Sequence, residues 1–452
     1  MSKKYLKLIC ASLALLMLCL PLAACVTPSS PESTDEVTGG SLSNEHLNAD
    51  LNELKIIDNG AVNFELVRPD ECNKTLTSNV VELKRIIDEK TKTQIKISTD
   101  FINKFDTGFQ VKTTSEILIG LTNRSESVET YESLPENAYT VRKVGSKLVI
   151  LGKDINLTAL ALYKFKEIIL DNAEKCSENN LVFTESDSVT VTLDKALTVA
   201  EVLKSGYQYT SATTFLFSCK PYSTEIRVAQ GVACDGEFVY FVIRHANDEG
   251  CVIYKYRLDD GTLVAESEIL QLGHGNDATF DTSMNMLVVS PGQSLGKTLY
   301  LIDPDTLTIH RTVSISKGAG AITYNEKRGM FAISQSGTTL HLLNDDYSFN
   351  KSLSRKTDSG YNTQGMGSDD DFIYFPMSGT NPETGANDNI IEVYDWSGKF
   401  ITRIPISDSF ESESMFELDG KYYISYYKFA SNPGAHLYEL NLWIRFLGDT
   451  SK

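Results

Sequence analysis

Short stretches of alternating apolar and polar residues recur through the second half of the chain, which is the pattern of strands with one buried face. Each of five units holds one such stretch directly after a turn and a second one after the following loop. The first stretches cover residues 238–243, 286–290, 330–334, 372–377 and 422–427, and the second begin at Ile253, Leu299, Leu340, Ile391 and Leu437. The pattern predicts two successive strands in every unit.

The five units also share an amide or small residue placed five positions before an Asp or Asn. These pairs start at Gln230, Asn276, Gly320, Gln364 and Ser414, at intervals of 46, 44, 44 and 50 residues. Because that interval is the length of one four-stranded blade, we predict an all-β, five-bladed propeller over residues 205–446. An open β-sandwich with the same spacing is the alternative.

The fifth unit ends too early to supply a fourth strand of its own. An apolar run at residues 213–218, ahead of the first unit, is predicted to take that place. Closing the ring in this way removes the free sheet edges that invite aggregation.

Residues 53–197 show a different pattern, in which helical and strand periods are mixed. Two amphipathic helices and one sheet predict an α+β sandwich domain. The fold class is therefore mixed, with this domain followed by the propeller. The predicted strands cover 61–67, 94–98, 116–121, 139–144 and 147–151, and the predicted helices cover 76–90 and 156–170.

The first 24 residues have the layout of a bacterial lipoprotein signal peptide. Three lysines precede an apolar stretch at residues 8–20, and small residues lead to Cys25, a sequence that resembles a lipobox. The resemblance implies a lipid on Cys25 and an anchor at the outer face of the cell membrane. An ordinary cleaved signal and a short membrane helix are the alternatives, although the apolar stretch is short for a span.

Residues 25–52 contain few large apolar side chains, so they cannot bury enough surface to fold and are predicted to be a disordered tether. The formal charge of the whole chain is −18, and removal of the three signal lysines makes it −21. Nucleic acid is excluded as a partner, because its binding depends on Lys and Arg.

Five cysteines besides Cys25 follow the signal peptide, and their spacing fits neither a zinc site nor a dense disulfide framework. A disulfide bond between Cys72 and Cys176 is an alternative, but buried free thiols are favoured, since a core of this size needs no disulfide bond for its stability. We predict no metal and no cofactor.

Two parts of the chain resemble known families, the first through one stretch and the second through two. Residues 116–124 (EILIGLTNR), with the hairpin and helix after them, resemble the non-catalytic α/β domain that precedes the barrel of hexosaminidases and α-glucuronidases. No barrel follows here, so the resemblance implies a carbohydrate context without the hydrolase. Residues 228–232 (VAQGV) and 363–366 (TQGM) resemble the opening blade of plant-type glutaminyl cyclases, but no catalytic carboxylate motif of that family is found.

The candidate site is the mouth of the channel where the inner strands begin. Amides and carboxylates there could bind a hydroxyl-rich ligand, and tyrosines such as Tyr426 could present a flat face to a sugar ring. His274 and Asp277 could also act as base or metal ligand, and the two glutamates as an acid–base pair. The candidate ligand-binding residues are Gln230, His274, Asn276, Asp277, Gln364, Glu411, Glu413 and Tyr426.

These patterns together predict a lipid-anchored extracellular protein whose propeller binds a cell-wall or environmental carbohydrate. Two other classes stay open. The propeller could be an enzyme, either a glycan hydrolase or lyase or a cyclase-like aminoacyl transferase, or it could be a scaffold that binds another protein. Carboxylates facing each other across the ring would favour an enzyme, whereas scattered amides would favour binding.

Overall fold

A computed structural model describes residues 52–102, 115–219, 226–245, 250–292, 296–335, 338–355, 359–381, 384–406, 410–428 and 434–448. The predicted signal peptide 1–24, Cys25 and the tether up to Leu51 lie outside these ranges. Residues from Asn52 onward belong to one compact unit. None of the helices within the described ranges is both long and apolar enough to span a membrane.

Ten strands form two sheets in the first part of the described chain: β1 Glu53–Asp58, β2 Ala61–Val62, β3 Glu65–Arg68, β4 Lys96–Thr99, β5 Glu116–Ile119, β6 Ala138–Val144, β7 Lys147–Gly152, β8 Cys176–Ser177, β9 Asn180–Thr184 and β10 Val189–Thr192. The larger sheet has the order β10-β6-β7-β5-β3-β4, and the smaller has β2-β1-β9-β8. The strand predicted over 61–67 is interrupted, because the Asn63 amide donates to the Ile56 carbonyl (2.9 Å) where the chain leaves the smaller sheet for the larger one.

Helices cover both faces of the larger sheet. They are α1 Lys74–Thr91, α2 Ser125–Ser133 and α3 Ile155–Phe165 with a π-helical turn Lys166–Leu170; a 3-10 turn spans Glu185–Asp187. A fourth helix, α4 Val199–Lys204, packs elsewhere, because its Val202 and Leu203 share a buried core with Phe372 and Ile404. Asn73 and Asp154 cap α1 and α3 by accepting backbone N–H groups. The apolar stripes of α1 and α3 are buried in one core with both sheets, whereas Tyr131 of α2 packs against residues on the opposite face.

The remaining strands form five antiparallel sheets. The first three sheets are β12 Ile226–Cys234 to β15 Leu263–Glu266, β16 Asp277–Asp281 to β19 Ile309–Ser314, and β20 Ala321–Asn325 to β23 Phe349–Ser354. Between those bounds lie β13 Phe238–His245, β14 Cys251–Arg257, β17 Met286–Ser290, β18 Thr298–Ile302, β21 Met330–Ser334 and β22 Thr339–Asn344.

The fourth sheet begins with two short strands, β24 Asn362–Thr363 and β25 Gly367–Ser368, which both pair with β26 Phe372–Thr380, and it continues through β27 Asn387–Asp395 and β28 Phe400–Ile406. The fifth contains β29 Glu411–Leu418, β30 Lys421–Lys428 and β31 Gly434–Arg445. Its fourth strand is β11 Gln208–Ser218, which pairs with β31. The predicted closing role of residues 213–218 is confirmed.

The five sheets are the blades of a closed propeller. Their inner strands, β12, β16, β20, β25 and β29, contact one another in cyclic order, and β29 returns to β12. The predicted first and second strands of every unit lie in β13, β17, β21, β26 and β30 and in β14, β18, β22, β27 and β31. Blade 1 begins at β12, blade 2 at β16, blade 3 at β20, blade 4 at β24 and blade 5 at β29.

Strand β31 joins the propeller to the helices. Asn79 of α1 donates to the Ile444 carbonyl (3.2 Å) and accepts from the Phe446 amide (2.9 Å). Asn156 of α3 bonds the Ile444 amide (2.7 Å) and the Leu442 carbonyl (3.3 Å) in the same way. Two asparagine side chains therefore pair with this segment as a neighbouring strand would, and Phe446 is buried in the core of the helices.

Candidate functional site

The Asp or Asn of each repeat has a structural task at the turn after the inner strand. In blade 1 the Asp235 carboxylate accepts the amides of Glu237 (2.9 Å) and Phe238 (2.7 Å). Asp369 does the same in blade 4 with Asp371 and Phe372, both at 2.7 Å. These are Asx turns, so this half of the repeat specifies the fold.

The centre of the ring is occupied by Asp277 at the start of β16. Its Oδ2 accepts the amides of Ile322 (2.8 Å) and Met366 (2.9 Å), and its Oδ1 accepts the Ala278 amide (2.9 Å) and the Ser414 hydroxyl (2.6 Å). One fully buried carboxyl thus joins blade 2 to blades 3, 4 and 5. Burial raises the pKa of Asp277 to about 8, although the four hydrogen bonds lower it.

The two Gln-Gly pairs in the sequence surround this hub. A Cβ on Gly231 would lie 2.5 Å from the Ala278 nitrogen, and one on Gly365 would lie 3.0 Å from Asp277 Oδ1 and 2.5 Å from the Glu413 carbonyl. Only glycine lets the inner strands approach the hub so closely. The repeated motif is therefore a packing requirement at the axis.

Two of the candidate amide side chains donate hydrogen bonds to backbone carbonyls. Asn276 Nδ2 donates to the carbonyls of Gly320 (2.8 Å) and Gln364 (3.1 Å), which ties blade 2 to blades 3 and 4. The buried Gln230 donates to its neighbour's carbonyl at Ala229 (2.6 Å). Asn276 lies just before β16, which begins at Asp277, so strand alternation does not force the two side chains to opposite faces. Both side chains form hydrogen bonds with the backbone of blade 4.

A cavity of ≈ 190 Å³ opens where blades 4 and 5 meet at the face where the inner strands begin. We call it the amide mouth, and its lining residues are Asn362, Gln364, Ser378, Gly379, Thr380, Asn387, Asn389 and Glu411. Of the eight candidate residues, Gln364 and Glu411 line this cavity.

Gln364 and Glu411 are bonded to each other across blades 4 and 5. Gln364 Nε2 donates to Glu411 Oε1 at 2.7 Å. Within the described part of the chain, Gln364 Oε1 and Glu411 Oε2 have no hydrogen-bond partner and are open to a ligand. Burial raises the pKa of Glu411, and the bond from Gln364 lowers it.

Glu413 lies deeper than Glu411 on the same strand and is 5% exposed. No donor among the described residues bonds its carboxyl. Burial raises the pKa of Glu413 well above its usual range, and the charges of Glu411 and Asp277 raise it further.

His274 lies beside Arg244, outside the amide mouth. Its Nε2 is 3.4 Å from Arg244 Nη1. Burial lowers the pKa of His274, and the positive charge of Arg244 lowers it further. Asp277 bonds other groups, and the His274–Asp277 pair considered from the sequence is not formed. No group of three metal-ligating His, Cys, Asp or Glu side chains was found within the described ranges.

The structure contradicts the prediction that Tyr426 presents its ring to a sugar. Its side chain is fully buried in the core between blades 4 and 5 and makes an edge-to-face contact with Tyr438, with ring centroids 5.2 Å apart. It offers no face to a sugar. Strand β30 is buried on both sides over Tyr422 to Tyr427, so alternation did not indicate which tyrosine would face the channel.

Free thiols are found at Cys72 and Cys176, without a bridge.

The opposite end of the channel holds a wider cavity that the sequence analysis missed. It has a volume of ≈ 570 Å³ and is lined by the ends of all five inner strands. We call it the acidic mouth, after the carboxylates of Asp235, Asp370 and Glu417 on its rim. It also contains the hydroxyls of Thr279, Thr323 and Ser368. The hydroxyl residues recur three or four positions after the start of the repeat in blades 2, 3 and 4. This recurrence is the sequence pattern from which the second cavity could have been predicted.

No known protein family and no curated protein matches the chain. Among solved structures, the chain is similar to hydrazine synthase of Kuenenia stuttgartiensis (11% identity, 46% of this chain and 58% of that one, TM-score 0.30). It is also similar to a DUF4221 family member from Bacteroides vulgatus (9% identity, 52% and 99% covered, TM-score 0.33) and to the WD40 β-propeller domain of Doa1 (11%, 50% and 97%, 0.30). The propeller assignment rests on the closed ring of five sheets in this chain.

Proposed function

We propose that this protein is a lipid-anchored surface protein whose propeller binds a carbohydrate at the amide mouth. The observation that carries the proposal is the lining of that cavity. Seven of its eight residues have polar side chains and the eighth is Gly379. A ligand with an apolar face would leave these groups unpaired, whereas a hydroxyl-rich ligand satisfies them.

The size and the open groups of the cavity support the same ligand class. A volume of ≈ 190 Å³ holds several waters, which one sugar unit can displace. Gln364 Oε1 and Glu411 Oε2 are open acceptors for sugar hydroxyls. The Nδ2 group of Asn389 already donates to the Phe410 carbonyl (2.5 Å), so this residue shapes the wall.

Binding is favoured over catalysis by the state of the carboxyls. The charge of Asp277 raises the pKa of Glu413, and two neighbouring carboxyls are what a glycan hydrolase would need. However, both oxygens of Asp277 are taken by four donors, and the group is fully buried. It cannot exchange a proton with a ligand without breaking the joint between blades.

The anchor part of the proposal is supported by the sequence. The apolar stretch, the small residues before Cys25 and the acidic, Ser- and Pro-rich residues 26–52 fit a lipid on Cys25 and a tether between it and the fold. The resemblance of residues 116–124 to carbohydrate-enzyme accessory domains supports a glycan context and stays a prediction.

The test is calorimetric titration of the full-length protein with a panel of neutral and amino monosaccharides. Gln364→Ala removes one neutral hydrogen-bonding group, worth about 0.5–1.5 kcal/mol, so affinity should fall about threefold to tenfold. Gln208→Ala is the matched control, because Gln208 is exposed at the start of β11. Equal affinities for the two variants, or no sugar binding by the wild-type protein, would contradict the proposal.

A further inference from the structure

The wall of the amide mouth that carries Gln364 belongs to the shortest inner strands of the ring. Blade 4 begins with β24 and β25, which have two residues each, whereas the inner strands of the other blades have five to nine. Asn362 and Gln364 line the cavity, and Thr363 between them does not. Within the described chain, this segment pairs only through β24 on β26 and through the Gln364 amide on the Pro376 carbonyl (3.1 Å). So few backbone bonds hold a segment less firmly than a full strand ladder does.

A buried arginine that does not line the cavity bonds Thr363. Arg355 directly follows β23 of blade 3, and its Nη1 donates to the Thr363 hydroxyl in blade 4 at 2.9 Å. The guanidinium carbon lies 3.7 Å from the centroid of the Phe375 ring, and Nη2 is 3.3 Å from Glu392 Oε2. One side chain of blade 3 thus contacts β24, β26 and β27 of blade 4.

The ion pair with Glu392 does not by itself account for this arginine. Arg355 is 1% exposed, and its Nε has no hydrogen-bond partner among the described residues. Glu392 already accepts from Arg403 Nη2 (2.8 Å) and from the Tyr394 hydroxyl (3.0 Å), so a cation balances its charge without Arg355. Burying a second cation with an unpaired N–H group costs free energy. The bond to the Thr363 hydroxyl is the contact that, in the described part of the chain, Arg355 alone supplies.

We infer that Arg355 is a positioning residue of the amide mouth and acts on the ligand through Thr363 and Gln364. By holding Thr363 it fixes the segment 362–364, so that Gln364 keeps its 2.7 Å bond to Glu411 and presents its other amide atom to a ligand. A site whose wall is held in place before binding loses less entropy when the ligand arrives. The inference rests on the proposed carbohydrate function.

The experiment removes the hydroxyl that Arg355 bonds, because replacing Arg355 would also deprive Glu392 of a partner. Calorimetric titration of the full-length protein uses whichever of glucose, galactose, glucosamine and N-acetylglucosamine binds the wild type most tightly. Thr363→Val should weaken binding about threefold or more, whereas Thr363→Ser keeps the hydroxyl and should bind within about twofold of the wild type. The matched control is Thr402→Val, because Thr402 is a half-buried threonine of β28 in the same blade. A cooperative urea transition shows that each variant is folded.

A double-mutant cycle separates positioning from a general loosening of the cavity. If Arg355 acts through Gln364, the combined variant Thr363→Val/Gln364→Ala should bind as weakly as Gln364→Ala alone. Additive losses in the combined variant would overturn the inference, and so would a Thr363→Ser variant as weak as Thr363→Val. Equal affinities of Thr363→Val and Thr402→Val would also overturn it and leave the proposed function standing. Failure of every sugar to bind the wild type would overturn both.

Discussion

Replacing Asp277 with alanine removes the joint between four blades. The substitution leaves the amides of Ala278, Ile322 and Met366 and the hydroxyl of Ser414 without their acceptor. The site is fully buried, so bulk water does not simply replace the carboxyl. Inner strands of blades 3, 4 and 5 lose their shared contact with blade 2.

The expected loss follows from those four bonds. A buried donor left without its acceptor costs about 1–3 kcal/mol, and four donors lose their acceptor in this variant, while removing the carboxyl returns part of its own desolvation cost. The net loss should be about 3–5 kcal/mol, near the lower end of the sum for four unsatisfied donors because the returned desolvation cost offsets part of it. This is a large part of the stability of about 5–15 kcal/mol of ordinary proteins.

Urea unfolding followed by tryptophan fluorescence measures this loss. Both tryptophans of the chain, Trp396 and Trp443, lie in the propeller, and the indole of Trp396 is buried. With a slope of about 3 kcal/mol per molar urea, the midpoint should fall by about 1 to 1.7 M. The control Asp305→Ala alters an exposed carboxylate and should shift it little. An Asp277→Ala midpoint equal to that of the control would refute the hub argument.

Three other outcomes are expected. Cys25→Ala should leave the protein without its lipid and out of the membrane fraction, so an unchanged, acylated membrane form would remove the lipoprotein claim. Deletion of residues 213–218 strips part of β11 from β31 and should give an aggregating product by size-exclusion chromatography, whereas a soluble product with an unchanged melt would argue against the closure. The pKa of Asp277 is raised from 3.8 to about 8, so the folded state holds a proton that the unfolded state releases. The stability that this proton contributes to the fold is complete below pH 3.8 and is lost as pH rises toward 8. Urea stability should therefore fall over that window, by up to about 1.4 kcal/mol per pH unit from this group, and a decline in Asp277→Asn as steep as in the wild type would show that the hub is not its source.

The sequence was sufficient to predict the blades because each strand pair satisfies a local rule. Alternation located β13 and its four counterparts, and the early end of the fifth unit indicated the closing strand. The two members of the repeat pair differ in what they do. Asp235 and its counterparts form turns, which is a local property, whereas the partners of Asn276 and Asp277 lie in other blades and cannot be read from neighbours in sequence.

The site was harder to predict because it depends on relations between blades. Gln364 meets Glu411 only when blades 4 and 5 pack together, and the direction in which Tyr426 points depends on packing that the pattern of a fully buried strand does not reveal. The acidic mouth arises from the ends of five inner strands, whose polar residues are far apart in the chain. Fold thus followed from periodicity, and the site followed from geometry.

Strand β31 has a consequence for the order of folding. It pairs with β11, so that Gln208 lies opposite Arg445, and its continuation seats Phe446 among the helices. Contacts between such distant segments carry a large loop-closure entropy and form slowly. Until β31 arrives, the edge of β11 is unpaired and the helical core lacks Phe446. One long-range pairing therefore covers a free strand edge and completes a second core, and the chain is most prone to aggregate before that step.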